Sequence, residues 1–194
     1  EHAIPEKYIW QMHNKYIFMQ TDEGIVVIDQ HIAHERILYE KALRLLAEPS
    51  SRSQKLLFTV SVQLSPTELI LFRELSQDLL HLGYDADEND GGLVTIKGVP
   101  NDVRSGEEAE SLKEILEQYA EYQTIRPASS HDNIAASYGC RNAIKAGDPL
   151  RYPEMKQLID DLYACQTPEV CPHGRPVMIQ FELKEFDRRF GRTS

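Results

Sequence analysis

The first quarter of the chain changes from strand-like to helical spacing of its apolar residues. Three short β-rich runs cover Tyr8–His13, Tyr16–Gln20 and Ile25–Ile28, and the last run is apolar enough for a buried strand. From His31 to Ala47 the apolar residues recur every three or four positions, which indicates an amphipathic helix. We therefore expect a β-meander that leads directly into a helix.

Polar turns divide the middle of the chain into short elements. The polar loop Glu48–Ser53 precedes them and is a candidate domain boundary. The later signals are strand-like alternation, a Ser-Pro-Thr-Glu capping box and an Asn-Asp-Gly-Gly hairpin turn. The predicted elements are a strand over Leu56–Leu64, a helix capped by Ser65 that ends at Gly83, strands Tyr84–Glu88 and Leu93–Val99, and a helix over Glu107–Tyr122.

The last third returns to helical spacing and ends in a strand. Ser129 and Ser130 are candidate caps for a first helix, and Gly147 is its end signal. The predicted elements are a helix over His131–Ala146, a helix over Pro153–Cys165, a strand over Val177–Phe181 and a short terminal helix that holds Phe190 and Arg192.

Composition limits the class of protein. The 194 residues carry 21 basic and 31 acidic side chains, a formal charge of −10, so the surface as a whole repels phosphate. No apolar run approaches the roughly 18 residues of a membrane-spanning helix, and no signal peptide is evident. These features predict a soluble, cytoplasmic protein without a membrane partner. Because the sequence starts at Glu1 without methionine, we expect a fragment of a longer chain.

Two separated segments carry side chains that suit a divalent cation. Asp29 stands at the end of the predicted buried strand, and His31 and Glu35 lie four residues apart on one face of the following helix. In the segment Cys-Pro-His-Gly-Arg-Pro, Cys171 and His173 are two residues apart in extended chain, so their side chains point the same way. A thiolate, imidazoles and carboxylates make a mixed zinc or two-metal ligand set. A solvated His–Glu pair is the alternative for the helix.

The ligand types divide between two kinds of cation. Mn²⁺ or Mg²⁺ would choose the carboxylates of Asp29 and Glu35, whereas Zn²⁺ suits Cys171, His173 and Cys140. Cys140 is alternatively a packing residue. Bound cations ionise water and neutralise phosphate in phosphodiester cleavage. The order His-x-x-His-Glu on the helix does not match the zinc-protease motifs.

Together with Gly139–Asp148 and Phe190–Arg192, these segments resemble the C-terminal domain of the MutL mismatch-repair family, and within it the group with endonuclease activity. The family motif D-Q-H-A-x-x-E-x-x-x-x-E is matched by Asp29, Gln30, His31, Glu35 and Glu40, with Ile32 in place of its alanine. The family's A-C-R motif is matched by Cys140 and Arg141, with Gly139 in place of its alanine. The Cys-Pro-His-Gly-Arg-Pro and F-x-R motifs match fully.

The resemblance implies a homodimer that nicks double-stranded DNA with the help of metals. In that family the aspartate of the first motif is essential for nicking, and the Cys-x-His pair binds zinc with the glutamate; these roles pass to Asp29, Cys171, His173 and Glu35. It also implies structural or regulatory Zn²⁺, catalytic Mn²⁺ or Mg²⁺, and MutS and an N-terminal ATPase domain as partners. The further candidates are His31 and Glu35 as both metal ligands and catalytic residues, Arg141 as catalytic residue, and Glu40, Arg175 and Arg192 behind the ligands or on phosphate. A purely structural charge is the alternative for Glu40 and the arginines.

The ligand candidates come from both ends of the chain, and none lies within residues 64–126. We therefore predict an α+β fold in two parts. Residues 1–63 and 127–194 form a dimerisation and metal-site subdomain, and residues 64–126 form a smaller inserted regulatory subdomain. The alternative function is a non-catalytic dimerisation module with a structural zinc site, and a zinc hydrolase of another substrate is a third.

Residues 54–58, Gln-Lys-Leu-Leu-Phe, resemble the Gln-x-x-Leu-Phe peptide that docks into the bacterial sliding clamp. Gln54, Leu57 and Phe58 are the predicted clamp contacts; alternatively, Leu57 and Phe58 are core residues of a strand. A clamp that encircles DNA would hold this acidic domain near phosphate. Without such a partner we expect weak, salt-sensitive binding to double-stranded DNA.

Overall fold

The structure is a computed structural model that describes residues 8–48, 53–125 and 127–192. It contains two antiparallel sheets together with helices, so the predicted α+β class is confirmed. The chain divides into two compact units, Glu1–Ile37 with Ala143–Ser194 and Leu38–Asn142. Within the described ranges, no helix combines the length and the apolar character needed to span a membrane.

The first unit is built on a four-stranded sheet. Numbered in chain order, its neighbouring strands are β1 (Ile9–Met12), β2 (Tyr16–Thr21), β3 (Gly24–Asp29) and β7 (Met178–Glu182). Its helical parts are α1 (Gln30–Ala47) as far as Ile37, α6 (Tyr152–Tyr163) and α7 (Leu183–Arg189). The predicted meander that delivers Asp29 to the start of a helix is confirmed.

The alternation of side chains decides which face of this sheet is buried. Ile17 pairs with Ile28 and Met19 pairs with Val26, and all of these side chains are buried. They form one core with the apolar side of α6, which contributes Met155, Leu158, Ile159 and Leu162. Because successive residues of a strand point to opposite faces, Phe18 and Val27 lie on the other face.

The second unit has its own sheet and its own core. Its strands, in spatial order, are β4 (Gln54–Gln63), β6 (Leu93–Val99) and β5 (Asp85–Glu88). Its helices are the rest of α1, α2 (Pro66–Glu74), α3 (Ser76–Leu82), α4 (Glu108–Ile125) and α5 (Ser130–Asn142). Strand residues such as Val94 and Ile96 pack with Leu112, Leu116 and Ile134 of the helices.

The second unit is larger than the predicted insertion of residues 64–126, since it also contains residues 38–63 and 127–142. The flanking segments join it through pairing and packing. β4 is hydrogen-bonded to β6, and α5 packs against α4. The assignment of metal-site and regulatory roles to the two parts stays a prediction.

The predicted capping box of the second unit is confirmed, but the helix that it starts is interrupted. The N–H of Glu68 donates to Oγ of Ser65, and Oε2 of Glu68 accepts the N–H of Ser65 at 2.6 Å. Gly83 ends the second helix in the left-handed conformation. Leu75 separates α2 from α3 with φ −94° and ψ 7°. It is a buried leucine and no helix breaker, so the sequence carries no signal for this bend.

The helix predicted to reach Ala146 ends at Asn142. The N–H of Ile144 donates to Nδ1 of His34 at 2.9 Å, and the N–H of Lys145 donates to a carboxylate oxygen of Asp148 at 2.9 Å. Side chains thus replace the carbonyl acceptors that a continuing helix would supply.

Two other predictions concern the ends of elements. The terminal helix α7 ends at Arg189, so Phe190 and Arg192 follow it instead of lying within it. The interior of the predicted polar loop, residues 49–52, lies outside the described residues.

Candidate metal centre

Three side chains that are distant in sequence converge in the first unit. Glu35 lies in α1, and Cys171 and His173 lie on the loop that precedes β7. One potential ligand atom of each lies within 4.8 Å of the other two. Nδ1 of His173 is 2.6 Å from Oε1 of Glu35 and 4.0 Å from Sγ of Cys171. The fold therefore brings together the thiol, imidazole and carboxylate that the sequence assigned to zinc.

The environment of Glu35 suits a cation. Its side chain is fully buried, and Oε1 accepts no hydrogen bond. The 2.6 Å contact with His173 brings the atoms together without hydrogen-bond alignment. A buried oxygen without a donor destabilises the fold, whereas a cation bound to this oxygen would satisfy it. Sulfur, nitrogen and oxygen facing one point form a donor set that proteins use for Zn²⁺. The residues fit zinc.

Backbone hydrogen bonds shape the loop that carries Cys171 and His173. The N–H of Cys171 donates to the carbonyl of Arg175, and the N–H of Gly174 donates to the carbonyl of Cys171, both at 2.9 Å. Gly174 has a φ of 78°, a conformation that glycine adopts without steric cost. The N–H of His173 donates to Sγ of Cys171 at 3.3 Å. The segment is therefore a turn, and the prediction of extended chain is wrong; the turn still brings the sulfur and the imidazole close together.

Arg175 contacts the other oxygen of Glu35. Its Nη2 lies 2.8 Å from Oε2, and its side chain is 50% exposed while that of Glu35 is fully buried. The guanidinium supplies the countercharge that a buried carboxylate needs. Of the roles predicted for Arg175, this contact suits the one behind the ligands, and that role stays a prediction.

Asp29 caps the helix that carries Glu35. Its Oδ1 accepts the N–H of His31 at 3.0 Å and the N–H of Ile32 at 3.1 Å, which are two of the donors left unsatisfied at a helix start. With Ile32 and Met178 it also lines a shallow pocket of about 150 Å³. Asp29 lies outside the group formed by Glu35 and its two partners, and its catalytic role stays a prediction.

His31 and His34 bind the two backbone groups of one residue, Ile144, in opposite ways. Nδ1 of His31 lies 2.8 Å from the carbonyl oxygen of Ile144, which only accepts, so Nδ1 carries the proton. Nε2 of a neutral His31 therefore has a free lone pair. Nδ1 of His34 accepts the N–H of Ile144, so its proton is on Nε2. His31 also lies outside the three-residue group, but its Nε2 is prepared to bind a proton or a cation.

Two glutamines anchor the loop that contains Ile144. Gln30 is fully buried. Its Nε2 donates to the carbonyls of Asn14, Lys145 and Asp148 at 2.9, 3.2 and 3.0 Å. Gln11 donates to Oε1 of Gln30 at 2.6 Å. The sequence motif includes Gln30 but gives it no role of its own. Its position between Asp29 and His31 is the signal that indicates a supporting role.

The remaining internal candidates belong to the second unit. The guanidinium of Arg141 contacts carboxylates in and just before α4, those of Glu114, Glu107 and Glu110, at 2.6, 3.0 and 3.7 Å. Its side chain is 5% exposed, so it holds carboxylates and is turned away from phosphate in solvent. Cys140 is half-buried on α5 and Glu40 is buried on α1. Arg192, in the first unit, is exposed.

The segment proposed to bind the clamp bulges from the second sheet. β4 pairs with β6 at Lys55 and again at Val60, but the register shifts between them. Leu57 is 89% exposed and Phe58 is 81% exposed. The alternative in which both side chains belong to the core is therefore wrong, because the bulge turns them outward.

The fold and the donor set define a class: an α+β domain with a candidate zinc centre between a helix and a Cys-x-His loop. A family model described as the MutL C terminal dimerisation domain matches residues 9–150. The chain belongs to this family. The matched range includes Asp29, Glu35 and Arg141 but ends before Cys171.

Similar sequences extend the match over the rest of the chain. The chain is 48% identical over 193 residues to a protein of Chlorobaculum tepidum, covering 98% of this chain and 31% of the relative. It is 46% identical over 188 residues to a protein of Chlorobaculum parvum, covering 97% and 30%. It is 45% identical over 191 residues to a protein of Chloroherpeton thalassium, covering 98% and 30%. Each relative is named DNA mismatch repair protein MutL, and the chain spans about a third of their length.

Proposed function

We propose that this domain is the metal-dependent endonuclease part of a homodimeric DNA mismatch-repair protein and that it nicks double-stranded DNA. The convergence of Glu35, Cys171 and His173 within 4.8 Å is the observation that carries the proposal. The names of the relatives support the repair process. The presence of Asp29 and His31 at the start of the helix that carries Glu35 supports hydrolytic chemistry.

The residues of this chain have separate proposed roles in binding metals and in accepting a proton. Oε1 of Glu35, Cys171 and His173 would hold Zn²⁺, and Asp29 would hold a catalytic Mn²⁺ or Mg²⁺. Such a cation, when bound, supplies a Lewis acid that polarises the phosphodiester and acidifies water. His31 is oriented through Nδ1 by the carbonyl of Ile144 and would accept a proton at Nε2.

Nicking of supercoiled plasmid by the full-length protein tests this proposal. Mn²⁺, Mg²⁺ and Zn²⁺ are supplied singly and in combination. We expect open circles to form only with an added cation, and a chelator should prevent their formation. Zinc-loaded protein that leaves the plasmid supercoiled under every combination would contradict the nuclease assignment.

A non-catalytic dimerisation module with a structural zinc site is the second candidate. The capping role of Asp29 favours it, because a carboxylate that accepts two backbone N–H groups already has a structural purpose. Under this alternative, zinc removal lowers stability and no cation produces cleavage.

We propose the face of the first sheet opposite α6 as the homodimer surface. Trp10 and Phe18 stack on this face with ring centroids 5.3 Å apart. The strand register continues their row through Val27 to Ile179. Ile179 is 49% exposed, and Phe181 on the same strand face is also exposed. Within this row Phe18 is half-buried and Val27 is buried, and the exposed members are Trp10, Ile179 and Phe181. Exposed apolar side chains on one sheet face mark a candidate interaction site, and the description of the family as a dimerisation domain supports this use.

Replacement of Ile179 by Asp tests the dimer surface. A charge on this face would have to be buried without a partner, so we expect Ile179→Asp to be monomeric in light scattering at micromolar concentration. Ile70→Asp, at an exposed position on α2, is the matched control and should stay dimeric. A monomeric wild type would contradict the dimer, and a dimeric Ile179→Asp would place its interface elsewhere.

We further propose that other proteins bring this acidic domain to DNA. The exposed bulge with Leu57 and Phe58 would dock on the replication sliding clamp. MutS and the N-terminal ATPase domain of the full-length protein would supply the remaining contacts. Such tethering raises the effective concentration of DNA without strong direct affinity.

A further inference from the structure

The two oxygens of Glu35 have different surroundings, although the carboxylate is buried as a whole. Oε1 faces His173 and Cys171 and accepts no hydrogen bond. Oε2 accepts a hydrogen bond from Nη2 of Arg175 at 2.8 Å. One oxygen is thus directed at the candidate metal centre, and the other is occupied by a cationic side chain.

We propose that Arg175 determines the cation selectivity of this centre by keeping Oε2 of Glu35 occupied. The inference rests on the proposed metal site. With Oε2 engaged, Glu35 can offer a cation a single oxygen. One oxygen, one nitrogen and one sulfur suit four-coordinate Zn²⁺. Mn²⁺ and Mg²⁺ prefer more oxygen ligands, so the hydrogen bond to Oε2 lowers their affinity relative to that of Zn²⁺.

The exposure of Arg175 makes this occupancy reversible. Its side chain is 50% exposed, so the guanidinium can turn into solvent, and a bound divalent cation would then supply the countercharge that the buried carboxylate of Glu35 needs. Once released, Oε2 is available as a second ligand atom, and Glu35 can contact two cations through its two oxygens. The arginine thereby decides whether the carboxylate serves one cation or two.

Charge alone would give a different result. The positive charge of Arg175 opposes every divalent cation at short range. Its removal should raise the affinity for Zn²⁺ and Mn²⁺ by a similar factor. Release of an oxygen ligand favours Mn²⁺ over Zn²⁺. The ratio of the two affinities therefore separates the proposed role from simple electrostatics.

The experiment measures binding of Mn²⁺ and Zn²⁺ to the purified full-length protein by equilibrium dialysis with elemental analysis, and follows bound Mn²⁺ by electron paramagnetic resonance. Arg175→Met removes the donor and the charge, and Arg175→Gln is a second, polar replacement too short to span the same distance. We expect both to raise the Mn²⁺-to-Zn²⁺ affinity ratio by about 10-fold, the size of effect typical of groups behind metal ligands. Arg175→Lys, which keeps a donor and a charge, should restore the ratio. Arg188→Met, at an exposed arginine of α7 in the same unit, is the matched control and should leave it unchanged.

Each outcome decides one question. A wild-type ratio in folded, zinc-binding Arg175→Met and Arg175→Gln would overturn the role of Arg175 and leave the metal site standing. A wild-type protein that binds no zinc would overturn the metal site and this inference with it. A raised ratio in Arg175→Lys equal to that of Arg175→Met would also overturn it, because the lysine retains both the charge and the donor. Melting temperatures establish which variants are folded, and either of the two shorter replacements suffices for the comparison.

Discussion

At the scale of single residues, Asp29 has a structural contact that asparagine can also make. Oδ1 of Asp29 caps α1 through two backbone N–H groups, and asparagine caps helices about as well as aspartate. We expect Asp29→Asn to keep the free energy of unfolding within about 0.5 kcal/mol of wild type. The same variant should lose plasmid nicking, because the amide lacks the charge that holds a divalent cation. Thermal melting and the plasmid assay measure the two effects.

Asp29→Ala is the control for the cap. It should destabilise the protein by about 1 kcal/mol, since both N–H groups lose their acceptor. Nicking by Asp29→Asn at the wild-type rate would remove Asp29 from the mechanism and favour the purely structural reading of this residue.

The proposed zinc ligands give a second prediction at this scale. Combined Cys171→Ser and His173→Ala changes should release zinc from the purified protein, because two of three converging donors are lost. The melting temperature should fall as well, since a metal that binds the folded state stabilises it. Elemental analysis gives the zinc content.

Cys165→Ser is the matched control for this loss. Cys165 lies in the same unit but outside the three-residue group, so its replacement should leave the zinc content unchanged. Equal zinc in the Cys171/His173 variant and the wild type would place the site elsewhere.

At the scale of elements, the side chains of β1 and α1 fix the loop after α5. Gln30 alone donates to three carbonyls, and one of the loop's own carbonyls orients His31. Gln30→Ala should therefore lower the free energy of unfolding by about 2 kcal/mol, through lost hydrogen bonds and a buried cavity. Denaturant unfolding measures this loss. The variant should also nick more slowly than the wild type under conditions in which both proteins are folded, because the ring of His31 loses its fixed partner.

Gln20→Ala is the matched control, since Gln20 is an exposed glutamine of the same unit. Its effect should stay within about 0.5 kcal/mol. Equal stability of the two variants would mean that the buried glutamine contributes nothing to holding the loop.

The elements that the sequence predicts well are those whose signals are local. Alternation, the capping box at Ser65 and the glycine at Gly83 act over a few residues, and the corresponding strands and helix ends are found where expected. The early end of α5 and the outward turn of Phe58 arise from tertiary contacts, a side-chain acceptor from His34 and a shift of register against β6. No residue nearby in the sequence predicts the early end of α5 or the exposure of Phe58.

The residues of the candidate site also divide into those with a local sequence signal and those whose contacts depend on the fold. Glu35, Cys171 and His173 were predictable because their residue types and short spacings suggest metal ligation. Arg175 was assigned a choice of roles, but its pairing with Glu35 spans 140 positions. Only the fold shows which carboxylate it contacts and which oxygen it occupies.

At the scale of the whole molecule, the formal charge of −10 conflicts with an activity on DNA. Such a surface repels phosphate, and any direct affinity should weaken further as salt rises. A partner that already encircles DNA resolves the conflict by tethering. The exposed bulge of β4 is the described segment whose sequence and geometry both suit such a partner.

The clamp proposal is tested by Gln54→Ala and, separately, by the double change Leu57→Ala with Phe58→Ala. Because Leu57 and Phe58 are 89% and 81% exposed, their replacement should change stability by no more than about 0.5 kcal/mol. Binding of the wild type to the purified clamp should have a Kd on the order of micromolar or weaker, since so short a peptide buries little area. We expect the double variant to bind about 10-fold or more weakly, because exposed aromatic and aliphatic anchors dominate such contacts. Clamp-stimulated nicking should fall in parallel, while nicking without the clamp stays at the wild-type level.

Ile70→Ala, at another exposed apolar position of the same unit, should keep both clamp binding and stimulation. Folded Gln54 and Leu57/Phe58 variants that bind the clamp as the wild type does would show that the bulge is only an irregular edge of the sheet.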